Sequence, residues 1–134
     1  MDITSFDDLL AAARQQGDPP RLLFTFAVAE LPSDADAAQR AAFARGEGGA
    51  LAPAACVDKT LDELSTFAAF AEEADRFAPG WVIVFAASLA GRAGQPPSAA
   101  DADASLKRMV AMVRAGDIGA LLALNRQGVP VRLG

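Results

Sequence analysis

A chain of 134 residues, 52% hydrophobic and 22% charged, can bury the core of one domain and does not read as a disordered polymer. Seventeen acidic against 12 basic residues leave a net charge of −5, which opposes attraction to phosphate backbones and anionic lipid; neither nucleic acid nor membrane is expected as a partner. One cysteine and no histidine exclude an internal disulfide, zinc sites built on several thiolates, histidine metal sites and histidine-assisted nucleophiles, leaving carboxylate, lysine, arginine and hydroxyl chemistry.

The opening MDITSFDDLL carries acidic residues where a secretory signal needs basic ones. No apolar run approaches the ~20 residues of a membrane span, so a cytoplasmic location is expected. Thr4 or Ser5 can cap a short helix in which Phe6, Leu9, Leu10 and Ala13 recur at helical spacing, and GDPP stops it. RLLFTFAVAEL, residues 21–31, reads as a strand covered on both faces between Pro20 and Pro32. Ser33 with Asp36 marks the next helix start, the alanine-rich stretch to Arg45 propagates it, and Gly46 ends it.

ALAPAACVD, residues 50–58, predicts a strand whose Pro53 requires a start, bulge or edge position. Cys56, between Ala55 and Val57, reads as a small buried hydrophobe. Thr60 and Glu63 form a T-x-x-E pattern that predicts a helix to about Phe77 with Leu64, Phe67, Ala68 and Ala71 on its apolar face. WVIVFAAS, residues 81–88, joins β-branched and aromatic residues without a charge and predicts a central strand. Ser98 and Asp101 repeat the cap pattern; Leu106, Met109, Val110 and Val113 line a helix that Gly116 terminates. IGALLALNRQGVPVRLG closes the chain as two strands around Asn125 to Gly128.

These elements predict a single α/β layered domain over residues 1–134: a mixed sheet of about five strands with helices packed on it and a C-terminal β-hairpin. Pro130 suits an edge strand there, and a second copy covering a helix face or sheet edge would make a homodimer.

The stretch GEGGALAPAACVDKT tests for a phosphate loop, in which a glycine-rich turn and a following Lys-Thr converge on one anion. Here Gly46, Gly48 and Gly49 precede the strand and Lys59 and Thr60 follow it. About nine extended residues span roughly 25–30 Å, so the two groups cannot share a phosphate.

A better candidate lies at strand carboxyl ends, where open α/β sheets bind ligands. If strands 50–58 and 81–88 run in parallel, Asp58, Lys59, Gly91, Arg92 and Gly94 meet near the helix starts at Thr60 and Ser98, forming a modest anion site. The neighbouring carboxylates Asp7/Asp8 and Glu72/Glu73 diverge by about 100° on a helix and read as solvated faces.

Taken together, GEGGALAPAACVDKT, WVIVFAASLAGR and NRQGVPVRLG look like a family of small bacterial proteins of about this length commonly labelled "ribonucleotide reductase subunit alpha". The resemblance spans nearly the whole chain, and its motifs carry no established chemistry. A reductase large subunit needs a radical cysteine and a redox pair, which Cys56 alone does not supply, so the resemblance brings no site residue. The order of a strand, a KTLDEL helix start, a central strand and a late LNRQG also resembles the amino-terminal domain of SseB-like proteins.

Two functions follow as expectations. The first is a non-enzymatic binding or protein-interaction domain without a cofactor, its partner an unidentified protein or a small anionic ligand. The second is an anion- or nucleotide-binding enzyme using the strand ends near Lys59 and Arg92.

Overall fold

A computed structural model describes residues 5–45 and 50–132. Helix α1 (Phe6–Arg14) starts where expected: Ser5 is its N-cap and accepts the Asp8 N–H, while Thr4 lies outside the described residues. Strand β1 (Arg21–Glu30) follows, then helix α2 (Ala37–Ala44). The cap of α2 is Asp36 rather than Ser33. Its carboxylate accepts the Gln39 N–H, and the Gln39 side chain accepts the Asp36 N–H, both at 2.8 Å. The glycines expected to form the next turn, Gly46, Gly48 and Gly49, fall outside the described residues.

Strand β2 (Ala50–Lys59) runs antiparallel to β1, with a bulge where Phe26 faces Ala55 and Ala27 faces Pro53. The proline thus occupies both a bulge and a sheet edge, where its missing donor costs no ladder hydrogen bond.

The helix expected from Thr60 to Phe77 is broken. The Thr60–Glu63 pattern closes on one 3-10 turn (Leu61–Glu63), Leu64 is extended and buried, and Thr66 caps helix α3 (Phe67–Phe77) by accepting the Ala69 N–H. Thr66 is thus a second cap, and α3 starts from it rather than from Thr60. Strand β3 (Ile83–Leu89), helix α4 (Ala99–Ala115) with Gly116 left-handed at its end, and the short strand β4 (Leu122–Leu124) complete the chain.

The described sheet has four strands in the order β2-β1-β3-β4, and every neighbouring pair is antiparallel. This differs from the mixed, roughly five-stranded sheet expected from alternation. Strands β2 and β3 do run in the same direction, but the crossover through α3 steps over β1, which separates them. At the C-terminal end, Asn125 to Gly128 turn the chain, and only a single bridge joins Leu124 to Pro130 where a fifth strand was expected.

Strand alternation directs two sets of side chains into two cores. Leu22, Phe24, Phe26, Val84 and Ala86 meet Phe6, Leu9 and Leu10 of α1 and Phe70 and Ala74 of α3. Phe70 is central there, its ring centroid 4.5 Å from that of Phe24 and 5.7 Å from that of Phe6. On the opposite face, Leu23, Ala27, Ile83 and Phe85 pack under Ala102, Leu106, Met109 and Val113 of α4. Burying each Phe or Leu stabilises by roughly 1.5–3 kcal/mol, so both faces of β1 hold the layers together. No helix among the described residues is long and apolar enough to cross a membrane.

Candidate functional site

The connection from β3 to α4 is a tight reversal. Arg92 and Gln95 each donate a backbone N–H to the other's carbonyl at 3.0 Å, around Ala93 and Gly94 at φ 55 and 76. Two successive positive-φ residues are what a two-residue hairpin turn demands. The loop is tied to the segment before β1: the Asp18 carboxylate accepts the Gly94 N–H at 2.8 Å. Gly91 is required by crowding, because a β-carbon there would lie 2.3 Å from the carbonyl oxygens of both Gln95 and Pro19. Beyond Pro96 and Pro97, the Ser98 hydroxyl accepts the Asp101 N–H and opens α4.

An open cleft of about 500 Å³ lies between this loop and the first half of α4. Leu89, Ala90, Pro96, Pro97 and Ala104 supply apolar lining; Arg92, Gln95, Ser98, Asp101, Ser105 and Arg108 supply the polar groups. Arg108 donates to the Ser105 hydroxyl at 2.9 Å. Among the described residues, Arg21, Lys59, Lys107 and Arg126 are held by carboxylates, whereas Arg92 and Arg108 form no such pair. The positive end of the α4 dipole adds to these two guanidinium groups, and Asp101 partly offsets them.

Of the residues expected to form an anion site, Gly91, Arg92 and Ser98 line this cleft, and Gly94 sits at the turn beside it. Asp58 reaches it only indirectly, through an ion pair with Arg21 at 2.9 Å. Lys59 does not join it. One position along β2 from Asp58, it faces the opposite layer, where its ammonium meets Glu73 of α3 at 2.6 Å. Thr60 is likewise engaged elsewhere, donating its N–H and hydroxyl to Glu63. Those bonds hold the Glu63 carboxyl below its ordinary range, the backbone bond contributing most; the Thr60 side chain lowers Asp62 as well.

Two residues central to the cleft, Ser105 and Arg108, were not anticipated. Their signal is the polar stripe Asp101, Ser105, Arg108 at i, i+4, i+7, about 100° around α4 from its buried apolar stripe.

Cys56 also departs from expectation: β2 is an edge strand, and the thiol is exposed rather than part of the core. Partial burial first, then the carboxylates of Asp103 and Asp58, push its pKa up and disfavour the thiolate. Among the described residues, no group of three or more His, Cys, Asp or Glu is placed to hold a metal ion.

Comparison with family models, curated proteins and solved structures finds no match to this chain. Arginine forks and helix-end amides bind carboxylate or phosphate oxygens.

Proposed function

We propose that the protein is a small non-enzymatic binding domain, and that its ligand is a small anionic molecule seated between the 90–98 loop and α4. The observation that carries this reading is the convergence of Arg92 and Arg108, neither held by a carboxylate among the described residues, on one cleft beside the N-terminal half of α4. The cleft volume falls within the roughly 300–1,000 Å³ typical of small-molecule sites. Binding rather than turnover fits the two hydroxyls: Ser98 accepts the capping bond of α4, Ser105 accepts from Arg108, and among the described residues no hydrogen bond joins either to a carboxylate or lysine that could serve as a general base. The rival enzyme reading needs Lys59 and Arg92 at one ligand, and Lys59 lies in the other layer with Glu73.

Thermal unfolding with phosphate, pyrophosphate, dicarboxylates and nucleotides tests the proposal. A ligand at about 100 times its Kd stabilises by ~2.7 kcal/mol, and the Arg92→Ala/Arg108→Ala double variant should lose that gain. No shift with any of these anions, or an undiminished shift in the double variant, would refute the assignment.

A further inference from the structure

Arg21 opens β1 between the carboxyl ends of β2 and β3, facing Leu89 in register and lying beside the Leu23–Asp58 pair. Its guanidinium joins three parts of the chain. Nη1 donates to Asp58 on the edge strand at 2.9 Å, and Nε donates to the carbonyl of Pro97 at 2.6 Å, across 76 positions of sequence. Both side chains of the ion pair are mostly buried, with 23% and 32% of their surfaces exposed. Pro97 lines the cleft immediately before the cap of α4.

We infer that Arg21 is the positioning residue of this cleft: anchored by Asp58, it holds Pro97, and with it the 90–98 loop, at a set distance from the sheet, so that Arg92 and the first turns of α4 face one ligand. The consequence for binding rests on the proposed anion site; the bracing of the loop stands on geometry alone. Arginine suits this role because its rigid planar fork donates to two acceptors at a set separation. Lysine carries the same charge on a single flexible head and serves Asp58 while releasing Pro97.

Arg21→Lys separates these effects. In the ligand-free full chain, amide hydrogen exchange at Arg92, Gly94 and Gln95 is expected to accelerate about tenfold, the worth of one charge-assisted hydrogen bond. Titration with inorganic phosphate, read from the amide shifts of residues 98–101, should show binding weakened by a similar factor. Lys107→Ala removes a positive charge from the same helix without touching the cleft, and should change neither readout by more than about twofold.

Wild-type exchange rates in folded Arg21→Lys would overturn the inference, as would phosphate binding of unchanged strength. If phosphate fails to bind the wild-type chain, the anion reading fails at that point, and the exchange rates alone decide whether Arg21 braces the loop. Should Arg21→Lys not fold, Asp58→Ala removes the anchor of Arg21 instead and must accelerate the same amides; unchanged exchange there refutes the bracing.

Discussion

Gly91→Ala isolates the packing of the loop from its conformational preferences. The φ of Gly91 lies outside the left-handed region, so alanine fits the backbone there, and the whole cost is steric. The new β-carbon would stand 2.3 Å from the carbonyl oxygens of Gln95 and Pro19, both backbone atoms that cannot rotate away. Ordinary contact is about 3.3 Å, so one or both segments must retreat by roughly 1 Å. Retreat of Gln95 stretches its two hydrogen bonds with Arg92, each worth about 1 kcal/mol, and the overpacking itself costs ~1–3 kcal/mol.

Against this stands about 0.4–1 kcal/mol gained from the stiffer unfolded chain. The net expectation is a loss of roughly 1.5–3 kcal/mol, measured as a lower urea midpoint at unchanged m value. Gly94→Ala is the contrast: nothing crowds its β-carbon, and only φ 76 opposes it, at about 1–2 kcal/mol. A Gly91→Ala protein within 0.5 kcal/mol of wild type, on the scale of ordinary surface changes, would show that the loop yields freely and that the crowding argument is wrong.

Arg126 lies 4.7 Å from the Trp81 ring, donates to the Trp81 carbonyl and makes two bonds to Asp75. Because the Arg126 and Asp75 side chains are nearly half exposed, screening weakens that pair; Arg126→Ala should cost about 1–2 kcal/mol in chemical unfolding. It should also shift the fluorescence of the sole tryptophan, with lysine restoring little of either effect; unchanged stability and emission would refute the contact's role.

The pH dependence at Thr60 has a determined sign. Glu63 and Asp62 titrate below their ordinary values in the folded chain, so their stabilisation is present above the unfolded pKa values of about 4 and is lost as pH falls through the lowered ones. In Thr60→Val, carboxyl titration by NMR should find Asp62 returned toward its ordinary value and Glu63 still lowered by the backbone N–H of residue 60. Equal shifts for both would contradict the distinct bonds assigned to them.

Much of this fold is legible one segment at a time. Ser5, Ser98 and Gly116 mark helix ends through bonds or dihedrals that involve only nearby residues, and the uncharged runs at β1 and β3 mark interior strands because nothing in them tolerates water. Pro53 announces an edge or bulge through its missing N–H. The extended run expected ahead of Thr60 is strand β2. Part of the candidate cleft is legible in the same way, since Gly91 and Arg92 follow a strand end and Ser98 marks the next helix start. Local chemistry determined these features because each interaction spans only a few residues.

Tertiary structure decided the rest. Whether β2 and β3 touch depends on β1 entering between them, a choice made by pairing across dozens of residues that no periodicity records. That insertion makes the sheet antiparallel throughout. The side-chain alternation of β2 then sends Asp58 toward Arg21 and Lys59 toward Glu73, so two adjacent residues that look like one charged motif serve opposite layers. Edge placement exposes Cys56, whose apolar neighbours in sequence resemble those of a core residue. Packing α4 against β1 and β3 directs its second, polar stripe toward the loop and places Arg108 on the cleft that Arg92 also lines. The long bond from Arg21 to Pro97 completes that side of the cleft, because its partners become neighbours only when the strand ends and the helix start are assembled.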